Sequence, residues 1–324
     1  MSKNILIRKT KEKEKTKTIQ PRINPRKRQG YIMFLMILPF LILVFLFSYF
    51  PLHGLIYAFF DYRPPFRLFD TDFVGFRWFV ILFDNPTRRN IIMRVLANTF
   101  AMSGLAILFS WLPMAFAVFL NLLNNKPFKL LVQTLTTLPN FISWVLVYSM
   151  AFFIFSSSGF INTLAVREGW LEQPILFLHE RDNVWFTMLL WGIWKNLGWS
   201  AILYIAAISN IDQELYEAAY VDGAGRFRVL WHVTVPGLLP TYFVLLLLNI
   251  ANFLSNGFEQ FFVFSNAFNL DRIEVLDLYV FNLGIGQGNY SLAVAVSMMK
   301  SIISLVLLFT VNRLSKLVRD ETII

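Results

Sequence analysis

The sequence predicts an all-α integral membrane protein. It has six transmembrane helices, both termini in the cytoplasm, and one short cytoplasmic helix between the fourth and fifth spans. Three observations predict this. The 324 residues are 56% hydrophobic and 17% aromatic but only 15% charged, whereas a soluble domain carries about 25% charged residues. Six apolar segments reach the ~20 residues a helix needs to cross the hydrocarbon core. Basic residues concentrate in alternate connecting segments, which sets the orientation.

Residues 1–30 hold 11 Lys/Arg against Glu12 and Glu14, which accounts for the whole net charge of +9. With Pro21, Pro25, Gly30 and little apolar surface, this arm is expected to be largely disordered. It reads as a cytoplasmic tail obeying the positive-inside rule rather than as a nucleic-acid-binding arm. The run Tyr31–Phe50 has no charge. It is too long for a signal-peptide core and no small-x-small cleavage site follows, so it reads as a retained first span.

The other spans are Asn98–Leu123, Leu130–Phe155, Val184–Ser209, Gly237–Phe264 and Asn289–Val311. The last three carry one charge each: Lys195, Glu259 and Lys300. Pro39, Pro113 and Pro139 fall inside spans, which membrane helices tolerate when neighbours satisfy the freed carbonyls. Segments 1–30, 124–129, 210–236 and 312–324 hold 18 Lys/Arg, against 9 in 51–97, 156–183 and 265–288. The first set is therefore cytoplasmic, a bias that rests mainly on the N-terminal arm. The domain reading is an arm at 1–30, a transmembrane domain at 31–315 and a cytoplasmic tail at 316–324.

There is no Cys, so disulfides, thiolate zinc sites and thiol nucleophiles are excluded. His53, His179 and His232 are far apart, and no metal site is expected. No catalytic cluster stands out, so the chain does not read as an enzyme. It also lacks a G-x-x-x-x-G-K-[ST] phosphate-binding loop.

The loop at 210–236 is the most informative stretch. Asp212 can cap a helix, and Glu214 and Glu217 follow where carboxylates favour the positive dipole end. Leu215, Ala218 and Ala219 give a small apolar face that lets another backbone approach. Gly223 and Gly225 end the helix, and Pro236 and Pro240 mark the start of the fifth span. Such a helix can seat in a groove on a partner or simply connect two spans at the membrane surface.

The pattern Glu217-Ala218-Ala219, Gly223, Val233, Val235, Pro236 resembles the loop by which membrane subunits of binding-protein-dependent ABC importers dock on their ATPases. Val233 and Val235 stand where that family usually has Ile and Leu. Asp222-Gly223-Ala224, Phe73 to Phe79 and Asn98-Thr99 resemble the carbohydrate (maltose-type) branch, and the resemblance covers about residues 30–315. It implies a permease subunit in the bacterial inner membrane, coupled to its motor through Glu217, Ala218, Ala219, Asp222, Gly223 and Pro236. It further implies a related second permease, two ATPase subunits that bind ATP and Mg, and an extracytoplasmic solute-binding protein. No cofactor belongs to this chain. The other reading is a secondary carrier working alone, but such carriers usually show repeated halves, and no internal repeat is evident here.

Polar groups inside spans are functional candidates. Asn249, Asn252 and Asn256 fall at i, i+3 and i+7 on one helical face, with Glu259 and Gln260 continuing it. Amides suit hydroxyl-rich ligands, or they bond a neighbouring helix. Lys300 is expected to pair with Glu259, while Lys195 has no evident partner. Alternatively the lysines attract an anionic sugar, which makes acidic oligosaccharides such as alginate fragments a substrate class. Trp191 and Trp194 are candidates to stack on sugar rings or to serve as interfacial anchors, although they lie deep for the aromatic belt; Asn140, with Ser143 and Trp144, is a further, weaker candidate.

Overall fold

The computed structural model describes residues 25–179 and 181–319. Most of the basic arm and the end of the C-terminal tail lie outside the described residues, as does Glu180. The chain divides into two units, one ending at Gly54 and the other beginning at Leu55. The first contains α1 (Pro25–Val44), followed by a π-helical turn at Phe45–Tyr49. Its apolar length fits the predicted first span.

A 3-10 segment, Phe50–Phe59, runs across the boundary, and the second unit continues to α2 (Arg77–Asp84). Trp78 Nε1 donates to Phe60 O at 3.0 Å, and the rings of Phe59, Phe76 and Phe79 pack edge to face or tilted. The aromatic motif at 73–79 is thus a packing device. The second span is α3 (Pro86–Leu108) and α4 (Leu112–Leu122). Asn85 caps α3 by accepting from the Thr87 and Arg88 amides. Pro113, at the second position of α4, has no N–H to lose there.

The predicted third span is discontinuous. It consists of α5 (Lys126–Thr137), a 3-10 turn at Leu138–Phe141, and α6 (Trp144–Phe155), which Ser143 caps. Next come α7 (Phe160–Arg167) and α8 (Val184–Ser209), an unbroken helix with the predicted bounds of the fourth span. At 1.5 Å per residue, its 26 residues extend about 39 Å. Gly198 lets α8 touch the end of α5: a Cβ there would clash with the Thr136 carbonyl.

After α9 (Gln213–Val221), one continuous rod is built from α10 (Arg226–Val229), a π-helical turn at Leu230–Thr234 and α11 (Val235–Ala251). The fifth span therefore starts well before Pro236, because the wide π turn accommodates a residue without an N–H. It also stops early. Residues 252–258 are not helical, Gly257 has φ +83°, and α12 (Glu259–Phe264) is separate. The short helices α13 (Leu270–Ile273) and α14 (Leu276–Phe281) lead to α15 (Tyr290–Arg319), the predicted sixth span.

Among the described residues, five helices are long and apolar enough to cross a membrane: Gln29–Phe59, Pro86–Leu122, Trp144–Arg167, Arg226–Ala251 and Tyr290–Arg313. The predicted fourth span is not among them. It is long enough, but Lys195, Asn196 and its tryptophans make it less apolar than the rest.

A buried polar strap fixes the connection before α14. Asn98 Nδ2 donates to Asp271 O and Glu274 O, at 3.0 and 3.1 Å, and the Leu276 amide donates to Thr99 Oγ1 at 2.9 Å. The Glu274 carboxylate accepts from Arg94 and Asn282. The Asn98-Thr99 pair thus staples a loop nearly 180 residues away. Around it pack Trp78, Leu82, Val95, Leu276 and Leu292, while Met188, Phe261, Phe264 and Leu278 form a second core and Ala201, Tyr204 and Leu238 a third.

Candidate functional site

Two features answer the sequence-derived candidates. The first is α9 and its turn. Asp212 Oδ1 accepts from the Glu214 amide at 3.0 Å, satisfying one of the free N–H groups of the first turn. Gly223 adopts φ +74°, and the Ala224 amide reaches back to Ala219 O at 2.9 Å. This is the left-handed helix stop expected from the glycine. Tyr216 OH and Thr234 Oγ1 share a hydrogen bond at 3.2 Å, which ties α9 to the rod behind it. Glu217 and Ala218 are exposed, Ala219 is half-buried, and Asp222 and Pro236 are exposed. Leu215, Tyr220, Val221, Phe227 and Trp231 also lie open, Val221 at 88%. The helix is thus capped, tethered and left with an uncovered apolar surface.

The second feature is an open cavity of about 590 Å³ lined by α3, α4, α8, α11 and the segment after Ala251. Its polar lining includes Ser103, Asn196, Ser200, Asn249, Asn252, Ser255, Asn256 and Gln260, set among Met102, Met188, Phe253 and Phe261. Among the described residues no charged side chain lines it.

The three asparagines do converge there, but not as one helical face. The helix ends at Ala251, so Asn252 caps it, donating to Leu248 O, and Asn256 sits in the following loop. Asn256 Nδ2 donates to Ser103 Oγ at 2.9 Å, Ser103 in turn donates to Phe253 O, and Asn256 Oδ1 is buried with no partner among the described residues. Gln260 Nε2 donates to Met188 O at 2.7 Å.

The other candidates lie outside this cavity. Glu259 is exposed on the first turn of α12. Trp191 packs against the rings of Phe155, Trp194 and Phe264. Lys300 pairs with Asp277, not with Glu259. Asp277 also accepts from the Gly257 amide at 3.1 Å. The pair borders a second, more open groove lined by Asn252, Ser255, Ser297, Ser301 and Ser304.

Lys195 has partners after all. It is 6% exposed, and its Nζ donates to the carbonyls of Pro139, at 3.0 Å, Asn140, at 2.8 Å, and Ile142. These carbonyls lie where the third span breaks, and that of Pro139 also accepts from the Ile142 amide at 3.2 Å. Asn140 Nδ2 donates to Asn196 Oδ1 at 3.0 Å. Sequence reasoning passed over Ser103, Asn196, Ser200 and Asp277. A polar residue in an otherwise apolar span was the available signal for the first three; Asp277 lies in a segment expected to be outside the spans.

Capped surface helix, apolar rods and amide-lined cavity together define a helical membrane transport component. The family described as binding-protein-dependent transport system inner membrane component matches residues 114–320, and this chain belongs to it. Protein LplB of Bacillus subtilis (strain 168) is 38% identical over 288 residues, 88% of each chain. The polygalacturonan/rhamnogalacturonan transport system permease protein YteP of the same organism is 38% identical over 316 residues, 96% of this chain and 95% of its own. Among solved structures, a bacterial ABC transporter involved in the import of the acidic polysaccharide alginate superposes with a TM-score of 0.78 at 30% identity, over 90% of this chain and 97% of that one. The bacterial alginate ABC transporter in complex with an alginate pentasaccharide-bound periplasmic protein gives 0.80 at 30% identity, over 93% and 99%.

Proposed function

We propose that this chain is the permease subunit of an ATP-driven importer of oligosaccharides, forming half of the translocation pore in a bacterial inner membrane. The observation that carries the coupling role is α9: a helix capped by Asp212, stopped by Gly223 and left with Glu217, Ala218 and a row of apolar side chains uncovered. An ATPase seated on that face would drive the rod at 226–251, because α9 and the rod are joined by Gly225 and the Tyr216–Thr234 hydrogen bond. A second permease would complete the pore, two ATPases would bind ATP and Mg, and an extracytoplasmic binding protein would deliver the solute. This reading keeps the six spans and cytoplasmic termini expected from the Lys/Arg bias, with α8 counted as a span, so that α9 would face the ATPase.

The cavity is the solute path in this reading. An amide offers two donors and two acceptor lone pairs, which matches vicinal hydroxyls. Acidic oligosaccharides are the favoured class, since the similar proteins YteP and the alginate transporter carry such polymers in their names. The test is reconstitution of the complete complex with oligogalacturonate and oligomannuronate. Binding-protein-dependent uptake and ATP hydrolysis are expected; uptake by the chain alone would instead make it a carrier.

A further inference from the structure

We propose that Lys195 is a positioning residue: it clamps the break in the third span and thereby orients Asn196 on the cavity wall, and it does not read substrate charge. A lysine inside a membrane span is normally expected to meet a carboxylate or a ligand. Here the ammonium's three protons are matched by three carbonyls, those of Pro139, Asn140 and Ile142. Those oxygens belong to the C-terminal end of a helical segment, where partial negative charge gathers and cations are favoured. The ring of Trp144 adds a π face 5.4 Å from Nζ.

This arrangement explains how a break can exist inside an apolar run. Pro139 lies at its start, and the lysine satisfies the Asn140 and Ile142 carbonyls that lipid could not, while sharing that of Pro139 with the Ile142 amide. No proton remains for a solute. The consequence reaches the cavity through one relay. The clamped turn holds Asn140, whose amide donates to Asn196 Oδ1, while Asn196 Nδ2 donates to Gly192 O at 3.0 Å. With both ends of its amide engaged, Asn196 presents one fixed orientation to the cavity it lines.

The uptake part of the test rests on the oligosaccharide reading; the labelling part does not. In the reconstituted complex, Lys195→Met and Asn140→Leu are compared using oligogalacturonate and the same oligosaccharide with its carboxyls reduced to neutral alcohols. Each variant is expected to raise the apparent KM about tenfold, the worth of one oriented hydrogen bond. The factor should be equal for both probes, and the double variant should add nothing further. Lys195→Arg, which keeps charge and donors, is expected to recover most of the loss. A Lys195→Met defect confined to the acidic probe, with Asn140→Leu silent, would overturn the proposal. Because the chain has no cysteine, Ser200→Cys supplies a single reporter one turn beyond Asn196. Its labelling rate with a cationic methanethiosulfonate should change severalfold in both variants. Unchanged labelling would overturn the clamp even if neither saccharide is transported, a result that would separately sink the substrate class.

Discussion

Lys300 on α15 and Asp277 on α14 form an ion pair that also holds the Gly257 amide in the break of the fifth span. The pair joins three segments that are distant in sequence. Both side chains are about four-fifths shielded, at 18% and 20% exposure. Breaking such a pair costs more than removing it entirely, because the survivor is left charged and alone. Lys300→Met and Asp277→Leu are each expected to destabilise the fold by about 3 kcal/mol. The double variant should recover much of that, read as apparent Tm of the purified complex. Additive losses would contradict the pairing.

Gly198 is set against the backbone of Thr136, so a single methyl has nowhere to go. Gly198→Ala is expected to cost about 1–3 kcal/mol through overpacking and to reduce the yield of assembled complex. Gly192→Ala is the control on the same helix, since a Cβ there meets only Gln260 Oε1 at 3.8 Å. Equal tolerance of both would refute the close approach of α5 and α8.

Removing the Asn98 side chain leaves the carbonyls of Asp271 and Glu274 unpaired in a buried position. Asn98→Leu should cost about 1–3 kcal/mol. Hydrogen exchange is the direct readout: amides at 271–276 should exchange faster while those of α8 stay protected.

Asn249 lines the cavity and is exposed to it, with no helix-stabilising bond of its own among the described hydrogen bonds. Asn249→Leu should therefore weaken solute transport by about tenfold, the loss of one hydrogen bond, without changing Tm. Kinetics of uptake in vesicles, alongside a melting curve, separate the two effects.

Local chemistry was legible in the sequence and long-range chemistry was not. The Asp212 cap, the Gly223 stop and the helix between them follow from residues within one turn of each other. Hydropathy located the first, second, fifth and sixth apolar segments approximately, while the third qualifying helix is shifted to Trp144–Arg167, and α8, which has the bounds read for it, falls short in apolarity. Where a helix breaks inside an apolar run is a different matter. The stretch from Leu130 to Phe155 carries no charge, and although Pro139 and Ser143 lie within it, nothing local says that Lys195, on another helix, will bond the carbonyls at its break. The same holds for the asparagines after Leu248. Their spacing fits one helical face, yet Gly257 and the Asp277 carboxylate hold residues 252–258 out of the helix. The lysine that was expected to meet Glu259 found a carboxylate in a segment assigned outside the spans.

The central claim is that α9 transmits the motor's stroke, and the most direct measurement is uptake and ATP hydrolysis in one reconstituted complex carrying Glu217→Ala or Gly223→Val. The valine must adopt φ near +74°, which a β-branched residue resists. Solute uptake is expected to fall at least tenfold while ATP hydrolysis no longer responds to loaded binding protein, with the chain still present in the membrane. Wild-type uptake and wild-type stimulation in both variants would contradict the account.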